Sequence, residues 1–157
     1  MSGDTKELCL NSHIKRRSFL YSINSEKKLF DEIKKLIPDL EKTSDEYDYS
    51  DAFSISKELR AELKCRTKNY DDLLIEKYKW DKLIESTEKN VYYINSTPGG
   101  IYIFDIKKQP EPIWEVQKHN KTTMFENTEK IDKLVGFYDI KTQSIEITER
   151  LYKVNEI

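Results

Sequence analysis

Glycine and proline are scarce, four of each in 157 residues, and cysteine and histidine scarcer still, at two each. Each shortage removes a class of chemistry. With Gly99 and Gly100 spent in a turn between two apolar runs, no glycine-rich loop is left to cradle a nucleotide phosphate. Cys9 and Cys65 lie far apart and share no metal-like spacing, which excludes a disulfide scaffold and a cysteine zinc site and points to a reduced, cytoplasmic setting. His13 and His119 stand alone, with neither a zinc-ligand spacing nor a Ser/His/Asp arrangement around them, and read as surface histidines. No apolar run approaches spanning length, and the opening residues "MSGDTKELCL" lack the basic and apolar regions of a secretory leader. A membrane partner is therefore not expected. Nor is there an excess of positive charge: 27 Lys and Arg face 29 Asp and Glu, for a net charge of −2. A protein that coats nucleic acid nonspecifically is usually strongly basic.

What is abundant is charge of both signs and tyrosine. Ten tyrosines and six phenylalanines supply large burial per residue, and the length suits one compact core. Residues 1–12 read as a flexible tail and residues 13–157 as one domain. Charge is also unevenly placed. From His13 to Lys35 seven basic residues face three acidic ones, whereas from Leu36 to Phe53 six acidic residues accompany Lys42 alone.

Along the chain, "SEKKLFDEIKKLI" places Leu29, Phe30, Ile33, Leu36 and Ile37 at helical spacing, with Ser25 as N-cap and Pro38 ending the run. Glu26 lies on the same face as that stripe, either meeting the helix dipole or pointing at a site. "DAFSI" and "LRAELKCR" predict a hairpin. In its second strand Leu59, Ala61, Leu63 and Cys65 share one face, and Arg60, Glu62, Lys64 and Arg66 the other. "DDLLIEKYKWDKLIE" predicts a helix with Leu73, Leu74, Trp80 and Ile84 inward and Lys77 within that stripe. A second hairpin joins "VYYIN" to "IYIFDI" through "STPGG". The remainder is β-rich: Trp114, Phe125 and "LVGFYDI" should join the core, with a last hairpin near "KTQS". The fold class expected is α/β or α+β, in layers.

An acid followed two residues later by lysine occurs six times, at Asp4/Lys6, Glu26/Lys28, Glu32/Lys34, Glu62/Lys64, Asp105/Lys107 and Asp139/Lys141. Glu62/Lys64 differs in context. It lies on an extended strand, beside a strand begun by Asp51 and ahead of a helix carrying Lys77. Magnesium takes oxygen ligands and often uses only one or two carboxylates together with water and phosphate, so Asp51 and Glu62 would suffice. Lys64, about 7 Å along the strand from Glu62, would orient a water or balance developing charge.

Those residues carry a family resemblance. "SDAFSISKELRAELKCR" followed by "YDDLLIEKYKW", with Glu26 on an upstream helix, resembles the PD-(D/E)xK nuclease superfamily, in particular its small stand-alone phage-type members. The resemblance covers residues 25–106. It implies a restriction-endonuclease-like fold, a mixed central β-sheet flanked by helices. It also implies Mg2+-dependent (or Mn2+-dependent) hydrolysis of DNA in phage or bacterial DNA processing, in the host cytoplasm if phage-encoded. The residues matching the pattern are Glu26 for the helix acid, Asp51 for the strand acid, Glu62 and Lys64 for the E-x-K, and Lys77 for the following helix. Ser50 replaces the leading proline, and Asp48 is a rival for Asp51.

Two other readings stay open. One is a catalytically inactive module of the same fold that binds protein or nucleic acid; the other is a solvated sheet edge on which Glu62 and Lys64 merely pair. So short a chain has little room for a separate recognition domain, which leaves a homodimer or a protein partner as one source of specificity.

Overall fold

Ser25 accepts a hydrogen bond from Lys28 N at 3.1 Å and so caps helix α1, Glu26–Leu36. A computed structural model describes residues 23–43, 51–121 and 129–143. The expected tail over 1–12, Cys9, His13, Asp48, Phe125 and the far side of the expected last hairpin lie outside these residues. Leu29, Phe30 and Ile33 of α1 are buried, each burial being worth about 1.5–3 kcal/mol. Beyond α1, Asp39 ties the chain to the next turn by accepting from Ser54 Oγ at 2.6 Å and Ser56 N at 2.9 Å. These bonds, Ser54's foremost, lower its carboxyl pKa to about 2.

Strands β1 (Glu41–Lys42), β2 (Ala52–Ser54) and β3 (Leu59–Cys65) form an antiparallel meander. The β2–β3 turn closes with Glu58 in the left-handed region, at φ 47°. The chain then makes β4 (Asp72–Glu76) and α2 (Lys77–Ile84) before returning as β5 (Asn90–Thr97), parallel to β3, and β6 (Gly100–Asp105), antiparallel to β5. A parallel pair requires such a crossover. The resulting five-stranded mixed sheet has the order β1-β2-β3-β5-β6. Strands β7 (Glu115–Asn120) and β8 (Lys130–Asp139) join β4 in a separate antiparallel sheet, order β4-β8-β7, and a 3-10 turn follows at Ile140–Thr142. The architecture is α+β with one mixed sheet. No helix among the described residues is long and apolar enough to cross a membrane.

The two faces of the mixed sheet are covered differently. On one, Ala61, Leu63, Ile94 and Ile103 pack under α1 with Leu29, Phe30 and Ile33. On the other, Val91, Tyr93 and Phe104 meet Trp80 and Leu83 of α2, Leu73 and Ile75 of β4, and Tyr138 of β8. Trp80 Nε1 donates to the Tyr138 hydroxyl at 3.0 Å, and Tyr138 stacks on Phe104 at 5.0 Å between ring centroids. Gly136 admits this second layer: a Cβ there would stand 2.5 Å from Pro112 Cβ and 2.9 Å from the Trp114 ring.

One element departs from expectation. Residues 72–76, read as the first turns of a helix, are strand β4, and the helix begins only at Lys77. A short apolar run such as "LLI" satisfies either period, and its pairing with Gly136–Tyr138 of a distant strand decides for β.

Candidate functional site

The alternation of β3 puts Arg60, Glu62 and Lys64 on the face shared with their parallel partners Val91, Tyr93 and Asn95. That face lies beneath the second layer. Glu62 is consequently only 5% exposed, which removes the solvated-edge reading for this residue. Asp51 stands just before β2, next to the Ala52–Ala61 register pair and therefore opposite Glu62. Its backbone N–H donates to Ala61 O at 3.0 Å. Its Oδ2 accepts from Leu63 N at 2.7 Å, so the side chain ties itself to the β3 backbone. Opposite both, Lys79 of α2 donates to Glu62 Oε1 at 2.6 Å. The other carboxylate oxygens, Asp51 Oδ1 and Glu62 Oε2, have no hydrogen-bond partner among the described residues.

The electrostatics follow from that placement. Burial, reinforced by the Asp51 charge and more weakly by Glu26, pushes the Glu62 carboxyl up to about 7 in spite of Lys79. Burial opposes the Lys79 ammonium, but the Glu62 carboxylate outweighs it, with Asp51 adding to the effect, and Lys79 is held above the ordinary lysine value. Tyr93, fully buried beside them, is raised by burial first. A carboxylate kept out of water against a second acid is held at a cost in stability, and sites of this kind are enriched where chemistry or ligand binding occurs.

Of the residues singled out in the sequence, Asp51, Glu62 and Lys64 share this corner of the sheet. Lys64 is half-buried, two residues beyond Glu62 on the same face, and its ammonium has no ion-pair or hydrogen-bond partner among the described residues. Glu26, in the exposed first turn of α1, is near enough to act on Glu62 only through its charge. Lys77, expected at the site as the lysine of the following helix, is not with them. Its Nζ is held by both oxygens of Asp81 at 2.8 Å and lies 5.7 Å from the centroid of the Trp114 ring. The reason is helix phase. Counted from a start at Lys77, the buried positions are Trp80 and Leu83, and Lys79, four residues before Leu83, is the lysine on the sheet-facing side. The signal lay in that Lys79/Leu83 spacing, hidden while Leu73 and Leu74 were counted as helical.

The remaining candidates have local duties. Asp105 Oδ1 accepts from Lys107 N at 3.2 Å, and Lys107 Nζ donates to Ser86 O and Glu88 O, both at 2.6 Å. His119 lies in β7 and contacts Gln117 Oε1 at 2.9 Å.

Among the described residues, no three His, Cys, Asp or Glu side chains stand close enough together to hold a metal ion. Asp51 and Glu62 are nevertheless hard oxygen donors, each with one oxygen uncommitted among the described residues, and their mutual repulsion is what a divalent cation would relieve. They fit magnesium, which needs few protein ligands. No protein-family model, curated protein or solved structure matches the chain.

Proposed function

We propose that the protein is a metal-dependent nuclease of the PD-(D/E)xK type with a restriction-endonuclease-like fold, hydrolysing DNA phosphodiester bonds at the Asp51/Glu62 corner. The observation that carries this reading is the burial of Glu62, 5% exposed, against Asp51 and under Lys79. An inert surface pair has no cause to take a carboxylate out of water next to a second acid. The mixed sheet, with its acids at the β2–β3 junction and a lysine reaching in from the crossover helix, supports the same assignment.

Magnesium or manganese held by Asp51 and Glu62 would supply Lewis-acid polarisation of the phosphate and a bound water of lowered pKa. The chain's own residues do the rest. Lys79 fixes the rotamer of Glu62 through Oε1 and offsets part of its charge, and Oε2 has no hydrogen-bond partner among the described residues. Leu63 N–H fixes Asp51 in the same way. Lys64, with its ammonium unengaged among the described residues, places a positive charge where a phosphate oxygen gains negative charge in the transition state. It stands half-buried on the same sheet face as Glu62, two residues along β3.

The test is incubation of the purified protein with linear, circular and branched DNA, with and without magnesium or manganese. Cleavage that needs the metal and is lost in Glu62→Gln supports the nuclease; metal-independent cleavage, or none on any topology, removes it. The second reading, a noncatalytic module of the same fold binding protein or nucleic acid, draws on the two-acid rather than three-acid set. DNA binding without cleavage would select it.

A further inference from the structure

Two residues beyond Lys64, the buried side of β3 ends in a rigid polar bracket that the proposed hydrolysis does not use. Arg66 Nε donates to Asn95 Oδ1 at 2.9 Å, and its Nη2 donates to Leu74 O at 2.7 Å and reaches the Tyr93 hydroxyl at 3.3 Å. Asn95 is the register partner of Lys64, so the bracket adjoins the site directly. The guanidinium is therefore fixed, and it stands 5.9 Å from the centroid of the Tyr70 ring. Between the two residues, Asn69 packs onto the β5–β6 turn so closely that a Cβ on Gly99 would meet Asn69 Oδ1 at 2.8 Å. The loop is thus anchored by hydrogen bonds at Arg66 and lies against the β5–β6 turn at Asn69, and it presents a tyrosine that is 47% exposed.

An aromatic ring flanked by a fixed cation and left open to solvent beside a phosphate-handling site has the properties of a base-stacking platform. Stacking on such a ring needs an unpaired base, because inside a duplex both faces of each base are already covered. Resting on the nuclease reading above, we infer that Tyr70 stacks an unpaired base of the substrate strand next to the phosphate handled at Lys64. The substrate class is then single-stranded nucleic acid, or a duplex carrying an unpaired end, flap or bubble. The fixed arginine contributes twice: it flanks one side of the ring at cation–π distance, and its charge favours a polyanionic strand.

The experiment uses the full chain carrying Glu62→Gln, so that binding is read without cleavage. Fluorescence anisotropy at one salt concentration gives Kd for labelled single-stranded DNA, single-stranded RNA of the same sequence, and the blunt DNA duplex. Tyr70→Ala should weaken single-strand binding about 5- to 150-fold, the equivalent of one lost base stack, and duplex binding less than about twofold. Tyr70→Phe should leave both within about twofold, since the ring is kept. Tyr70→Trp, added to the native tryptophans, should be quenched by the single strand and not by the duplex, and it holds the test open if Tyr70→Ala unfolds. The DNA and RNA arms identify the sugar. An equal loss on single strand and duplex, or no loss on either, overturns the inference, and the second outcome assigns Tyr70 to plain surface or to a protein contact. If the Glu62→Gln parent binds no strand at all, the nuclease reading falls with it. If the wild type cleaves while Tyr70→Ala binds unchanged, the inference falls alone.

Discussion

Lys79 Nζ lies 2.6 Å from Glu62 Oε1, pairing a lysine side chain 39% exposed with a carboxylate side chain 6% exposed. The two ends of this bond are not equivalent. Lys79 can return to water if the bond breaks, whereas Glu62 cannot without opening the sheet-to-helix interface.

That asymmetry sets a pH dependence. The folded-state pKa of Glu62, about 7, lies above its ordinary value of 4.5, with burial the main cause and Asp51 the next. Its folded form therefore binds the proton more tightly than the unfolded chain does. The stabilising contribution is fully present below about pH 4.5 and is lost as pH rises through about 7, amounting to about 3 kcal/mol. Metal-free protein should lose stability over that window in denaturant titrations, with Glu62→Gln flattening the profile and melting higher above pH 7. A wild-type profile flat between pH 5 and 8 would remove the raised pKa from the account.

Removal of the partner should act in the opposite direction. Lys79→Met leaves Glu62 buried without compensation, which for a fully buried pair costs about 3–5 kcal/mol. Partial exposure of Lys79 and protonation of Glu62 reduce that to roughly 1–3 kcal/mol. Lys77→Met breaks a half-exposed i,i+4 pair with Asp81 and an approach of 5.7 Å to the Trp114 ring centroid and should cost about 1 kcal/mol. Adding Glu62→Gln to Lys79→Met should restore most of the loss. Thermal melts in which Lys77→Met is the more damaging of the two would reverse the assignment of the lysines.

Much of this corner could be read along the chain, and what could not has a physical cause. Strict alternation in "LRAELKC" needs only local geometry, so Glu62 and Lys64 fall on one face whatever covers it. The cover does not follow from local geometry. Trp80, Leu73 and Tyr138 come from three elements, and Tyr138 is 76 positions beyond Glu62. Nothing near β3 announces that its charged face is the inner one. The helix phase failed for a similar reason: Leu73 and Leu74 fit a helical stripe until a strand more than 60 residues away claims them for a sheet. By contrast, α1 needed only its own apolar spacing, Ser25 and Pro38.

The second layer can be tested at its tightest point. A methyl group on Gly136 would stand 2.5 Å from the rigid ring carbon Pro112 Cβ, closer than carbon atoms pack. Gly136→Ala should therefore cost about 1–3 kcal/mol through overpacking. Because Tyr138 and Trp80 lie in the same layer, the near-ultraviolet circular dichroism of the aromatic residues should change with it. An unchanged melting temperature would mean that β8 does not lie against Pro112 and Trp114 as described.

The mechanism is tested most sharply by separating binding from turnover. Asp51→Ala and Glu62→Ala each remove a proposed metal ligand together with a negative charge facing phosphate. Cleavage should then be abolished while DNA binding persists or strengthens. Lys64→Ala leaves both carboxylates in place, so calorimetry should still find magnesium binding while kcat falls by about 10² to 10³, the usual loss for one transition-state donor. Lys64→Arg keeps the charge on a longer, planar group and should recover part of that loss. Lys64 is half-buried and has no partner among the described residues, so the melting temperature should stay near that of the wild type. Equal cleavage by the Asp51, Glu62 and Lys64 variants would mean that hydrolysis is carried out elsewhere on the chain, and Asp48 would be the next acid to replace.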